Sequence, residues 1–247
     1  MLEAAGWGVV SSGALLIGAF LGLRFAIPSR VIGLIMGFGA GVLIASVAFD
    51  LTMTAYREAG DRSVAIGMAL GALSFFIGDW LVDQRGRDRR ERASGQAKAA
   101  EEDESAAALV IGALLDGVPE SIVIGISLLG GSGVSLVMLV AVFISNIPEA
   151  LASATGMKAA GRSHRYVYGL WGAVVLVSAA ASALGYGVLG DASPDLIALI
   201  QAFAAGAILT MLANTMMPEA FEEGGNWVGL ITVFGFALAS YLSTIGG

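Results

Sequence analysis

Runs of about 20 apolar residues, separated by short polar stretches, account for most of the chain. They fall at about residues 6–27, 31–56, 64–83, 105–130, 134–157, 166–189, 196–217 and 226–245, each long enough as a helix to cross about 30 Å of hydrocarbon. This pattern predicts an all-α, polytopic membrane protein with eight transmembrane helices. The first run follows Glu3 and leads directly into the second with no small-residue cleavage site, so it is expected to be the first helix and not a cleaved leader.

The pattern also repeats. Residues from Gly37, GFGAGVLIASVAFDLTMTAYREAG, align without a gap with AFAAGAILTMLANTMMPEAFEEGG from Ala202, an offset of 202 − 37 = 165. Phe38 meets Phe203, Gly41 meets Gly206 and Gly60 meets Gly225, and the flanking runs follow in the same register. Runs one to three thus resemble runs six to eight. Equivalent helices are five runs apart, and an odd number reverses direction, so the two triplets are expected to lie upside down relative to each other, a 3+2+3 inverted repeat of the kind that alternates access around a midplane site. The corresponding divisions are 1–83 for the first repeat, 84–104 for a linker, 105–158 for a central helix pair and 165–247 for the second repeat.

Charge orients this bundle. Arg24 and Arg30 follow the first run, Arg85, Arg87, Arg89, Arg90, Arg92 and Lys98 follow the third, and Lys158, Arg162 and Arg165 follow the fifth, whereas the alternate loops hold only Arg57 and Arg62. Basic loops stay cytoplasmic, so both termini are expected outside, in a cell (plasma or inner) membrane. The 84–104 segment runs from basic to acidic without apolar periodicity and reads as a solvated cytoplasmic tether. Trp7, Trp80, Trp171 and Trp227 fall near run ends and are expected as interfacial anchors; Asp79 and Asp83 read as helix-end charges.

Composition sharpens this picture in three ways. An apolar fraction of 57%, a charged fraction of 13% and a mean hydropathy of +0.82 exceed what a soluble domain requires. The 35 glycines, in patterns such as Gly33, Gly37 and Gly41, favour close helix packing. With no cysteine, disulfides and thiolate metal sites are excluded, and neither a cofactor nor nucleic acid is expected.

The candidate chemistry lies in the central pair. LLDGVPESIVIG holds Asp116 and Glu120, and FISNIPEALASATG holds Ser145, Asn146 and Glu149. Both Pro-Glu pairs sit centrally in apolar runs, where a carboxylate costs about 2.5 to 3.5 kcal/mol. No Lys or Arg occupies the interior of any run, and the single histidine, His164, is in a loop. Compensation is therefore expected from solution, as protons or as a metal cation. Geometry favours a metal: Asp116 and Glu120, and likewise Ser145 and Glu149, are four apart on one helix face, with Asn146 three before Glu149. Pro119 and Pro148 free the carbonyls of Leu115 and Ile144, so broken helices lining a cavity are expected. Asp116 or Asn146 capping a helix start would also put a backbone break at mid-membrane, and hence a polar cavity. Asp50, Asn214 and Glu219, the last beside Glu222 and Glu223, are possible path residues. With no HExxH, no Cys and no GxGD pair, the chain is not expected to be an enzyme.

These two Pro-Glu helices resemble the fourth and fifth helices of the ZIP (Zrt/Irt-like) family of divalent metal transporters, whose motifs read approximately His-Asn-x-Pro-Glu-Gly. The resemblance covers nearly the whole chain. It implies eight spans, outside termini and the 3+2+3 repeat, with Asp116, Glu120, Ser145 and Glu149 as a first metal site and Glu120, Asn146 and Glu149 contributing to a second. The chain departs from the motif where Asp116 and Ser145 replace histidines and Gly117 replaces asparagine. The resulting oxygen-only donor set suits manganese, magnesium or similar harder ions, where zinc prefers some nitrogen or sulfur. The expected activity is transport of a divalent cation (zinc, manganese, iron or similar), the ion being substrate and the bilayer the surroundings. A proton-coupled transporter of another substrate, a metal-binding relative that does not transport, and a homodimeric assembly remain open.

Overall fold

The computed structural model describes residues 1–92, 113–114, 117–130 and 133–246, and all regular structure among them is helical. The helices are α1 (Leu2–Arg24), α2 (Ser29–Ser46), α3 (Met53–Arg92), α4 (Gly117–Ser127), α5 (Leu136–Ala159), α6 (His164–Leu189), α7 (Pro194–Met211), α8 (Met217–Gly224) and α9 (Trp227–Gly246). Serine oxygens start three of them: Ser135, Ser163 and Ser193 accept from the backbone N–H groups of Met138, Tyr166 and Leu196, supplying donors' partners that a helix start otherwise lacks. Helix α3 runs on to Arg92, so the first residues of the expected linker are helical, and 93–104 lie outside the described residues.

Among the described residues five stretches are long and apolar enough to cross a membrane: Leu2–Arg24, Ser29–Leu81, Leu136–Ala159, His164–Leu189 and Pro194–Gly224; Gly117–Ser127 and Trp227–Ser243 are shorter apolar helices. The 53-residue stretch is bent, because Gly60 adopts φ 72° and ψ 178° inside α3. Only glycine takes that backbone at low cost. Gly225, between α8 and α9, has φ 68° and ψ −157°. A π-helical segment, Val47–Thr52, joins α2 to α3, and another, Leu212–Met216, joins α7 to α8. The starts of these segments differ by 212 − 47 = 165 residues, and the two bent glycines by 225 − 60 = 165.

Glycine sets the helix pairing. Helix α3 packs on α7, α2 on α9, and α1 on both α5 and α6. A Cβ added to Gly71 would run into the Phe203 carbonyl, one on Gly206 into the Met68 carbonyl, one on Gly41 into that of Thr232 and one on Gly235 into that of Phe38. Helices α4 and α6 meet the same way, through Gly125 against Ser182 and Gly185 against Ile122. In lipid there is little hydrophobic gain from helix association, so such backbone-to-backbone contact supplies the dispersion energy that holds helices together.

The largest core cluster lies where α2, α5 and α7 converge and includes Leu43, Val142, Ile208, Val123 and Ile124; a second, of α1, α5 and α6, includes Leu15, Ala150, Ala154 and Trp171. Trp171 is 1% exposed, so it is a core residue and not the interfacial anchor its position near a run end suggests, whereas Trp80 and Trp227 are exposed. Its ring fills space above the alanines of α5, which are too small to close the helix gap themselves. Large apolar side chains on the outer faces of α3, α6 and α9, among them Phe76, Leu176 and Val233, are exposed, as a lipid-facing surface requires.

Candidate functional site

Helix α5 carries three of the four described metal-ligand candidates and is clamped on two sides. Gly18 and Gly22 bring α1 against the backbone of Ile147 and Leu151, and Gly39 brings α2 against Ser145, where an added Cβ would lie 3.2 Å from the serine Cα and 3.2 Å from the Met216 Cε. Ser145 and Asn146 are buried between these neighbours, and Glu149 is half-buried. The Asn146 amide donates to the Ser11 carbonyl of α1 at 3.3 Å, which fixes the side chain and leaves its carbonyl oxygen as the group able to meet a cation. Ser145 Oγ donates to the Val142 carbonyl at 3.0 Å, so its lone pairs stay free to accept.

Glu120 is the most deeply buried carboxylate among the described residues, at 2% exposure. Helix α4 turns its Ile122 and Gly125 face to α6. Glu120 lies about 200° round from Ile122 at 100° per residue, on the side that continues into Val123 and Ile124. Those two belong to the cluster shared with α2, α5 and α7, so Glu120 faces the bundle interior. On α5, Met138, Val142, Ser145 and Glu149 form one stripe at spacings of four, three and four, and its upper half joins the same cluster. The third expected acid, Asp116, lies outside the described residues, as does Leu115. Among the described residues no three His, Cys, Asp or Glu side chains gather at one point.

The other expected path residues are spread apart. Asp50 sits in the Val47–Thr52 π segment beside the start of α5, and Asn214 sits in the second π segment, in a shallow groove between α3 and α7 lined by Met68, Ala72 and Thr210. Glu219, Glu222 and Glu223 lie exposed on α8. That both Asp50 and Asn214 fall in π segments is notable, because such bulges turn side chains and carbonyls out of the helical ladder and recur at functional sites.

One expectation is corrected. Helix α5 continues unbroken through Pro148, because the α1 and α2 contacts on either side hold its axis while a single bond, to the Ile144 carbonyl, is lost. A prolyl residue inside a helix costs about 3 kcal/mol. Pro148→Ala is therefore expected to raise the unfolding midpoint of the purified protein by at least about 2 °C. A differential scanning measurement checks this; a lower midpoint would contradict the packing described.

No protein-family model matches the chain. Among curated proteins, one from Arabidopsis thaliana named a "putative zinc transporter" is 28% identical over 194 residues, which is 77% of this chain and 30% of the plant protein. The chain thus spans about 30% of the length of that relative.

Proposed function

We propose that the protein carries divalent metal cations across a membrane, using the carboxylates of α4 and α5 as ligands near the bilayer midplane. The observation that carries this reading is Glu120, a carboxylate 2% exposed in the interior of an apolar helix bundle. A charged group at that depth is expensive and is characteristic of ion pathways. Ser145, Asn146 and Glu149 offer further oxygens from the neighbouring helix, and Asp116 would complete the set. The likeness to a plant protein named as a zinc transporter supports a metal as the cargo. The oxygen-rich donor set makes manganese and iron as suitable as zinc.

In this reading the chain has eight spans, the two arms of the stretch bent at Gly60 counting separately, and follows the ZIP-type 3+2+3 inverted arrangement. Support comes from the π segments and positive-φ glycines recurring 165 residues apart (212 − 47 and 225 − 60), and from the pairing. Exchanging α1 with α6, α2 with α7, α3 with α9 and α4 with α5 turns the α3–α7 contact into α9–α2 and the α1–α5 contact into α6–α4, all of which are present. Paired triplets moving against the central helices would open the acids to each side alternately. In the same reading the basic loops are cytoplasmic and both termini lie outside the cell membrane, as the excess of Lys and Arg in those loops favours.

The test is uptake into proteoliposomes of manganese, zinc, iron, cobalt and magnesium, each with and without a pH gradient. Saturable accumulation of at least one transition cation is expected. Proton movement without any metal flux would overturn the metal reading in favour of carboxylates acting as proton carriers.

A further inference from the structure

Away from the α4–α5 acids, a second set of donors meets at the start of α5. The Asp50 carboxylate accepts from Ser46 Oγ at 2.9 Å and lies beside the Ser135 side chain. Ser46 Oγ also stands 3.1 Å from the Met138 sulfur. Ser46 and Met138 are both 0% exposed, and Asp50 is half-buried. A hydroxyl has one hydrogen, and the carboxylate is the stronger acceptor, so the thioether keeps its lone pairs directed at a polar cluster. The 2.9 and 3.1 Å hydrogen-bond distances bring a carboxylate, a hydroxyl and a thioether together at one buried point, close enough for all three to reach a single ion.

We propose that Asp50, Ser46, Ser135 and Met138 form a second cation site, whose buried thioether favours thiophilic and borderline divalent ions over magnesium and calcium. Carboxylate and hydroxyl oxygens bind every divalent ion, whereas a sulfur ligand adds affinity only for the softer ones. Met138 opens the α5 stripe that continues through Val142 and Ser145 to Glu149, about 10 Å from Ser145 and about 16 Å from Glu149 along the axis. Resting on the transport reading, the cluster is a selecting station before the acids. It supplies the soft donor that the oxygen-only motif lacks.

A purely structural role for Asp50 is the rival: with Ser135 it would merely reinforce the positive N-terminal end of α5, and the sulfur would be a bystander. Equilibrium binding of Cd2+ and of Mg2+ to the detergent-purified full chain separates the two. In a Glu120→Gln, Glu149→Gln background, Cd2+ binding is expected to persist. Adding Met138→Leu should weaken Cd2+ by about tenfold or more while moving Mg2+ less than about twofold, and Asp50→Asn should weaken both by at least about tenfold. Loss of all Cd2+ binding in the background, or equal effects of Met138→Leu on both ions, would overturn the site. If the background does not fold, Cd2+ and Mg2+ competition for uptake by Met138→Leu alone gives the same comparison, with unchanged preference as the contrary result. Failure of the transport reading has a different signature: Cd2+ bound at this cluster, Met138-dependent, with no cation moved by reconstituted wild-type protein.

Discussion

Gly71→Ala should cost the protein its fold, while Gly169→Ala leaves it intact. The two changes add the same methyl group to a helix, so propensity alone would make both slightly stabilising. At Gly71 the new carbon would lie on the Phe203 carbonyl of α7, whereas at Gly169 nothing lies within 4 Å. The clash is backbone against backbone, which no rotamer change relieves, so α3 and α7 must part along their contact. Ordinary overpacking costs about 1–3 kcal/mol, and separation of a glycine-packed interface adds the loss of its dispersion contacts. Against a total stability of about 5–15 kcal/mol, that predicts aggregated protein or a midpoint lowered by about 10 °C or more. Gly206→Ala, which drives α7 into the Met68 backbone of the same interface, should behave like Gly71→Ala. Size-exclusion profiles and thermal unfolding in detergent check all three variants; a monodisperse Gly71→Ala protein of wild-type midpoint would contradict the α3–α7 packing.

Glu120→Gln should reduce cation uptake by at least about 100-fold without loss of folded protein. Glutamine keeps the volume and the acceptor oxygen and removes the charge. A carboxylate ligand in a largely dehydrated site contributes several kcal/mol to binding a divalent ion, and each 1.4 kcal/mol is a factor of ten. Glutamine fits the space the glutamate occupies, so folded protein should be recovered at the parent's elution position. Lower flux in a folded variant is the mark of a functional acid; a purely structural one would lose fold and flux together. Glu149→Gln should act in the same direction but less strongly, since Glu149 is half-buried and keeps more solvent around its charge.

Helix positions were legible in the sequence because lipid demands about 20 apolar residues per crossing, and the helices found at Leu136–Ala159 and His164–Leu189 lie within a few residues of the runs at 134–157 and 166–189. The special role of Gly60 and Gly225 was also legible, since both fall in one register of the repeat and both adopt positive φ. The π segments were not. Pro218 withholds a donor from the Asn214 carbonyl and so accounts for slack in the second segment, but Met53, at the matching place, has an ordinary amide, and nothing in its local sequence marks the first. Trp171 was misplaced because an indole near a run end fits an interface and a core equally well, and only the alanine face of α5 opposite it decides. Pro148 was expected to break its helix, as it would in isolation; the glycine contacts of α1 and α2 hold the helix together. The Asp50, Ser46 and Met138 cluster joins residues about ninety positions apart, Ser46 and Met138 being 92 apart, and such a pairing exists only once α2 and α5 have packed.

Locating a heavy divalent ion tests the central claim most directly. In crystals of the protein grown with Cd2+, anomalous scattering should place an ion between the α4 and α5 helices within about 2.6 Å of Glu120 and Glu149 oxygens. Carboxylates of Glu120 and Glu149 turned away from each other, with no anomalous peak beside either, would contradict a metal path through the centre of the bundle.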